Sequence, residues 1–198
     1  MPAPLPRAIA QSVRGRAATR QMTRDGETAP PSALADTLHD AVALFRELKI
    51  KYALIGGLAA MVHGRSRYTE DVDFVAQPGH AEILARHPEV MRKHGFDPGC
   101  TWKLYHRSGI DVDLWKDQHA PDIVGRAVRR KLGQRFARVA EPHDLVAMKL
   151  RADRPQDDYD VAEILSAQSL DVQRLRPLVT AAQFRRFEQI KKRVDKAS

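Results

Sequence analysis

The sequence predicts a mixed α/β (α+β) fold, in which helices pack on a small mixed β-sheet and the C-terminal part is helical. Short β-like runs alternate with helical patterns through the first 140 residues. Two of these runs flank Arg107-Ser108-Gly109 and indicate a β-hairpin, whereas the pattern from Glu141 onward is helical. Strands joined partly by helices and partly by a hairpin favour a mixed sheet with helices packed on it. The chain has 198 residues, enough for about one domain.

Residues 1–31 are predicted to be a disordered basic tail. They contain five arginines, two acids and five prolines, and their few apolar residues follow no period. Such a composition buries too little apolar surface to fold. A basic arm for nucleic acid and an upstream start codon assigned in error are the alternatives for this segment. We therefore expect the structured core over residues 32–140 and a helical region over residues 141–198.

The first predicted elements alternate between helix and strand. Ser32 is a suitable N-cap, and apolar residues recur at three- and four-residue steps over 34–48, which gives a helix with one apolar face. The run 52–55 is β-like, and 58–63 is short and helical. Residues 69–76 alternate acidic and apolar side chains, which is typical of a strand with one polar face.

The middle of the chain continues this alternation after a break at Pro78-Gly79. The predicted elements are a helix over 80–94, hairpin strands over 102–106 and 110–115, a helix over 121–131 and a last strand over 136–139. The large aromatic residues around the hairpin are interpreted as packing residues, with base stacking as the alternative; they are Trp102, Tyr105 and Trp115.

Pairs of aspartates are the most informative feature of the chain. Asp71 and Asp73 are spaced i, i+2 in a predicted strand, and Asp111 and Asp113 repeat that spacing. Both members of such a pair lie on one face, where two half-buried carboxylates repel each other. A divalent cation removes this conflict, because Mg²⁺ takes one or two carboxylates and completes its shell with water and substrate phosphates. A third carboxylate on a neighbouring strand would allow two ions roughly 3.5–4 Å apart, as in phosphoryl-transfer sites.

A glycine pair, Gly56-Gly57, lies between a predicted strand and a predicted helix. Glycine lets the backbone approach a phosphate closely, and the amides at a helix N-terminus attract anions. A plain turn is the alternative. The distance along the chain to Asp71 leaves room for one short helix and a return to the adjacent strand, which favours the phosphate-binding interpretation.

Composition restricts the class of protein. The net charge of +8 favours a polyanionic partner, such as nucleic acid, or a phosphate-bearing substrate. The single cysteine, Cys100, excludes a disulfide framework and a cysteine-rich zinc site, and it fits a reducing cytoplasm. The apolar stretches fall far short of the ~20 residues of a membrane-spanning helix, so we expect no membrane partner.

Two blocks of the sequence resemble a known enzyme superfamily. The first runs from Leu54-Ile55-Gly56-Gly57-Leu58 through Arg67-Tyr68-Thr69 to Asp71-Val72-Asp73-Phe74, and the second from Asp144 through Lys149 to Asp157 and Asp160. They resemble the nucleotidyltransferases with the DNA-polymerase-beta-like fold, above all the small bacterial branch of abortive-infection toxins from type IV toxin–antitoxin systems. Many members have Ser where this chain has Gly57, and the hydroxyl of that Ser helps to hold a phosphate. Gly57 has no such group.

The resemblance implies a role for each matching residue. Gly56 and Gly57 would hold a nucleoside triphosphate through backbone amides, and Asp71 and Asp73 would ligate Mg²⁺ or Mn²⁺. Asp113 fits best as the third carboxylate, with Asp111 as the alternate. Lys149 would contact nucleotide phosphate, and Asp157 and Asp160 would complete the nucleotide side or position the acceptor. Independently of the resemblance, Arg65 and Arg67 precede the acids and are candidates for steering the triphosphate, with charge compensation as the alternative.

The expected reaction moves a nucleoside monophosphate from its triphosphate to a hydroxyl of RNA or protein and releases pyrophosphate, and the resemblance implies a cognate antitoxin. A basic patch without acids over residues 126–138 favours RNA, although a solvated basic face is the alternative; its members are Arg126, Arg129, Arg130, Lys131, Arg135 and Arg138. The competing functions are a non-catalytic nucleotide- or RNA-binding module, a small-molecule nucleotidyltransferase of the antibiotic-modifying type, and a two-metal phosphoesterase.

Overall fold

The computed structural model describes residues 33–64, 69–132 and 135–197, and the predicted tail, the Ser32 cap and Arg65 and Arg67 lie outside them. The described strands form one six-stranded mixed sheet in the order β3-β4-β2-β1-β6-β5. These are β1 (Tyr52–Leu54), β2 (Val72–Ala76), β3 (Lys103–Tyr105), β4 (Asp111–Leu114), β5 (Val128–Leu132) and β6 (Arg135–Val139). The predicted fold class is confirmed.

Helices connect and cover the strands. They are α1 (Ala33–Glu47), α2 (Gly56–Val62), α3 (His80–Ala85), α4 (Pro88–Lys93), α5 (Ala120–Arg126), α6 (Pro142–Ala152), α7 (Pro155–Ala167), α8 (Val172–Leu175), a 3₁₀ turn (Arg176–Leu178) and α9 (Ala181–Ala197). The part after the last strand is helical, as predicted. None of the helices within the described ranges is long and apolar enough to cross a membrane.

The direction of the strands brings distant segments to one edge of the sheet. β1 and β2 are antiparallel, so the end of β1 lies beside the start of β2. β4 is parallel to β2, with Asp113 paired to Asp73. β6 is parallel to β1, so α6, which follows β6, begins at the same edge. The glycine turn after β1, both acidic strands and the start of α6 therefore meet at one edge.

The core separates the two faces of this sheet. Successive side chains of a strand point to opposite faces, so Phe74 points away from Asp73. Phe74 is buried edge-on against Phe45 of α1, with ring centroids 5.2 Å apart, and Tyr52 contacts both rings. Burying one such side chain contributes about 1.5–3 kcal/mol. α1 thus covers the apolar face and leaves the acids on the opposite one.

Two predicted helices differ from the structure. The helix expected over 80–94 is broken at His87 into α3 and α4, because Pro88 has no N–H to donate and begins α4 instead. The helix expected over 121–131 ends at Arg126, and Val128–Leu132 forms strand β5, antiparallel to β6. The helical prediction for 128–131 was wrong because pairing with a later strand decides the conformation of this segment.

Candidate active site

A cavity of about 590 Å³ lies at the edge where β1 ends and β2 and β4 begin. Gly56 and Gly57 line it, as do Asp71, Asp73 and Asp113. Lys149 on α6 lines it as well. The structure therefore brings the glycine pair, the strand acids and the lysine of the second sequence block into one site.

Backbone pairing fixes the acidic side of this cavity. Asp73 and Asp113 are direct neighbours in the parallel β2–β4 pair and share one face of the sheet, on strands about 4.8 Å apart. Lys103 on β3 reaches toward this face, with its Nζ 3.6 Å from Asp113 Oδ1 and 3.7 Å from Asp111 Oδ2. Asp113 lines the cavity and Asp111 does not, which favours Asp113 as the third carboxylate.

The surroundings of Asp73 perturb its carboxylate. Burial raises the pKa of Asp73, and the negative charges of Asp71 and Asp113 add to the rise. A hydrogen bond from the Trp115 indole acts in the opposite direction and lowers this pKa. The positive charge of Lys149 also lowers this pKa, but burial and the two neighbouring acids outweigh these effects.

These donors fit a hard divalent cation. All three acidic side chains offer carboxylate oxygens, the ligands that Mg²⁺ takes, and a cation would relieve the repulsion that raises the pKa of Asp73. Across the described ranges, no three His, Cys, Asp or Glu side chains converge into a finished metal site. An ion that takes one or two of these carboxylates would receive its other ligands from water and phosphate.

Gly56 lies in direct contact with Asp73. Its φ of +63° is left-handed, and a Cβ built on it would lie 2.0 Å from Asp73 Oδ2. The next residue back, Ile55, donates its N–H to the backbone oxygen of Asp73 at 2.9 Å. Only glycine gives both this backbone conformation and this approach, so the turn and the acid form one unit.

The basic side of the cavity comes from α6 and α7. Lys149 is buried, and its Nζ donates to Asp160 Oδ2 at 2.6 Å and to Asp157 Oδ1 at 3.2 Å. Asp157 also binds the guanidinium of Arg154 through both carboxylate oxygens, at 2.9 and 3.1 Å. Asp157 and Asp160 do not line the cavity. They bind Lys149 and Arg154, which do line it.

Sequence reasoning gave no site role to several residues that line the cavity. Arg154 and Arg151 line the cavity, and the guanidinium of Arg151 donates to Asp117 at 2.9 Å. Lys116 and Trp115 follow β4 directly and also line it. The sequence signal for Trp115 and Lys116 was their position directly after a strand that carries acidic residues. Trp115 was interpreted as a packing residue, but 50% of it is exposed.

Some side chains of the basic patch are bound to other groups of the protein. Arg126 is bound by the buried Asp144 at 2.7 and 3.0 Å, and Arg138 donates to the Ala127 carbonyl. On the β5–β6 hairpin, Arg129 stacks on the exposed ring of Phe136, 3.6 Å from its centroid. The register places Lys131 opposite Phe136 on the same face. A basic face with one exposed aromatic ring therefore remains.

Comparison with known proteins decides the family. Residues 42–197 match the model of a family described as the nucleotidyl transferase AbiEii toxin of type IV toxin–antitoxin systems. The chain belongs to this family. It is a nucleotidyltransferase, and the predicted resemblance to the toxin branch is confirmed. No curated protein matches the sequence.

Solved structures with a similar fold include an antigenic nucleotidyltransferase-like protein from Paracoccidioides brasiliensis. It is 18% identical, the match covers 89% of this chain and 92% of that one, and the TM-score is 0.51. The antibiotic-resistance factor ANT(2'')-Ia is 14% identical over 82% of this chain and 92% of its own, with a TM-score of 0.43. The first of these likenesses supports the fold.

Proposed function

We propose that this enzyme transfers a nucleoside monophosphate from a nucleoside triphosphate to a hydroxyl group of RNA, in a reaction that depends on a divalent cation and releases pyrophosphate. The observation that carries the proposal is the cavity in which Asp71, Asp73 and Asp113 lie beside the Gly56 turn and opposite Lys149. Membership of a type IV toxin family supports a nucleoside triphosphate as substrate and a cognate antitoxin as partner.

The acidic side supplies the metal ligands and the base. Asp71 and Asp73 would hold Mg²⁺ or Mn²⁺, which when bound stabilises negative charge on the attacking and leaving oxygens. Asp113 takes the proton of the acceptor hydroxyl as that oxygen forms its bond to the α-phosphorus. The bond from the α-phosphorus to the bridging oxygen breaks, and the electron pair leaves with pyrophosphate.

The basic side binds the triphosphate. Lys149 carries a compact charge held by two buried acids, which suits it as a point charge toward phosphate oxygens. Arg154 and Arg151 present guanidinium groups that their carboxylate partners hold at the same cavity. Gly56 and Gly57 begin α2, where backbone N–H groups have no partner inside the helix and attract anions.

The first experiment tests the chemistry. Purified protein is incubated with each α-labelled nucleoside triphosphate, Mg²⁺ and total cellular RNA, and label in RNA and release of pyrophosphate are measured. We expect both signals in the wild type and their loss in Asp71→Asn and Asp73→Asn. Asp122→Asn, an isosteric change on the exposed start of α5, is the matched control and should keep wild-type transfer. Undiminished transfer by Asp73→Asn would refute the metal assignment.

The second experiment tests the acceptor. Reversing charge on the hairpin face with Arg129→Glu and Lys131→Glu should lower RNA labelling about tenfold near physiological salt, because phosphate contacts dominate affinity for nucleic acid. The slope of log rate against log salt should shrink by about 2, because each basic side chain that no longer binds a phosphate removes about one unit. The control is the pair Arg86→Glu and Arg92→Glu, with the same charge change on exposed residues of the α3–α4 region. A rate independent of salt would point to a small-molecule acceptor.

A further inference from the structure

Trp115 lines the cavity, and burial of its ring does not explain this position. It directly follows β4, and its backbone N–H donates to the Phe74 carbonyl at 2.8 Å, which extends the β4–β2 ladder by one residue. This ladder directs the side chain to the cavity that holds Asp71, Asp73 and Asp113. Half of Trp115 is exposed, so its burial contributes less than that of a core aromatic residue.

The indole edge makes a specific contact. Trp115 Nε1–H donates to Asp73 Oδ1 at 2.9 Å. The other oxygen of this carboxylate, Oδ2, lies against Gly56, at the place where a Cβ would come within 2.0 Å. One oxygen of Asp73 is therefore held by the indole and the other is confined by the glycine turn, so that the carboxylate plane is fixed from both sides.

The chemistry of the donor suits this task. An indole N–H donates and cannot accept, and the ring has only two side-chain torsions, so it holds an acceptor in one direction. It is also neutral. A cation in the same place would neutralise Asp73 and compete with a metal ion. Within the described ranges, Trp115 is the side chain that hydrogen-bonds to Asp73.

We propose that Trp115 is a positioning residue, which holds the Asp73 carboxylate in the orientation that ligates the divalent cation. The inference rests on the proposed function, since it requires Asp73 to be a metal ligand. Groups that orient metal ligands through hydrogen bonds typically contribute 10–100-fold to metal affinity or activity. Removal of the indole N–H should therefore weaken metal binding while the fold is retained.

Mn²⁺ binding tests this without reference to catalysis. Free Mn²⁺ is measured by electron paramagnetic resonance during titration of the full chain. Two changes remove the N–H: Trp115→Phe, and replacement of Trp115 by benzothienylalanine, which keeps the bicyclic shape. We expect both to raise the Kd for Mn²⁺ about tenfold. Trp102→Phe is the matched control, because that ring contacts His80 and Lys116, and the indole that donates to Asp73 among the described residues is that of Trp115.

Fluorescence gives a second readout. The chain has two tryptophans, so Trp102→Phe leaves Trp115 as the single tryptophan, whose emission is excited selectively. Paramagnetic Mn²⁺ should quench its emission, and Asp73→Asn should abolish the quenching. Mn²⁺ affinity that is unchanged in both Trp115 variants overturns the positioning role alone. A wild type that binds no more Mn²⁺ than Asp73→Asn overturns the metal assignment of Asp73, and the positioning role falls with it.

Discussion

Replacement of Gly56 by alanine tests the contact between the glycine turn and the acidic strand. Alanine at a φ of +63° costs roughly 1–2 kcal/mol, because its Cβ crowds the following carbonyl. The new Cβ also lies 2.0 Å from Asp73 Oδ2, whereas ordinary contact begins at 3.4 Å, so the carboxylate or the turn must move by the difference. Displacement by about 1 Å at a catalytic site can cost about 100-fold in rate.

The matched control is Gly79→Ala. Gly79 also has a left-handed φ, +84°, but a Cβ there meets nothing closer than Glu82 Oε2 at 4.0 Å. Gly79→Ala should lose about 1–2 kcal/mol, a fall in Tm of about 2–4 °C for each kcal/mol, because of the backbone penalty. Gly56→Ala should lose at least as much, because it shares this penalty and adds the clash with Asp73. Only Gly56→Ala should lose nucleotidyl transfer. Thermal melts and the transfer assay measure the two quantities side by side.

Two results would refute this reasoning. Wild-type transfer by Gly56→Ala would show that the approach of the turn to Asp73 is not needed for the reaction. Equal loss of transfer in Gly79→Ala would show that general backbone strain, rather than the displaced carboxylate, explains the effect. A drop in activity that is confined to Gly56→Ala separates the site from the fold.

Four further outcomes are expected from the same physics. Lys149→Met should destabilise the protein by about 3–5 kcal/mol in denaturant titrations, since it removes the cation bound to the buried Asp160 and leaves Asp157 to Arg154 alone; a loss below about 1 kcal/mol would contradict this. Burial alone would raise the pKa of Asp157, but bonds from neighbouring cations outweigh it and lower this pKa. The resulting stability is present above the pKa of about 4 that Asp157 has in the unfolded chain, and it is lost as pH falls through the pKa in the folded protein. Urea titrations of Asp157→Asn should therefore give a lower free energy of unfolding than the wild type at pH 7. This free energy should also fall less steeply as the pH is lowered. In the presence of a chelator, Asp73→Asn should raise the Tm at neutral pH, because the raised pKa of Asp73 means that its ionised form lowers stability. Added Mg²⁺ should stabilise only the wild type. A lower Tm of the variant in chelator would contradict the raised pKa. Phe45→Ala should cost about 3–5 kcal/mol with no separate effect on metal binding, and a fall in metal affinity before unfolding would count against the separation of the two faces.

The sequence contained enough to predict the acidic half of the site. The i, i+2 spacing of Asp71 and Asp73 predicts a shared face, and both side chains line the cavity, although β2 itself begins at Val72. Hydrophobic residues on either side of Asp113 predict one polar face for its strand. That the two faces coincide depends on the register of β2 with β4, which the resemblance implied and local patterns could not supply. Their placement in one cavity agrees with the predicted convergence.

Features that depend on tertiary packing were not predictable from local patterns. The conformation of Val128–Leu132 is decided by β6, to which it is joined through every one of its residues. The bond from Trp115 to Asp73 requires the register of β4, and the burial of Lys149 requires the packing of α6 on α7. A basic or aromatic residue looks the same in sequence whether it is solvated, paired or turned toward a cavity.

Strand pairing fixes the spacing of the two acids, so that it can change only by a whole step of the register. Because Asp73 and Asp113 occupy one rung of a parallel ladder, their separation is set by the interstrand distance and not by the long connection through α3, α4 and β3. That connection can lengthen, shorten or change its surface while the rung stays the same. A slip by a single residue would instead present Val112 and bury the acid on the apolar face. Variation among relatives should therefore accumulate in residues 77–110, outside the hairpin strands, and stop abruptly at the two acidic strands.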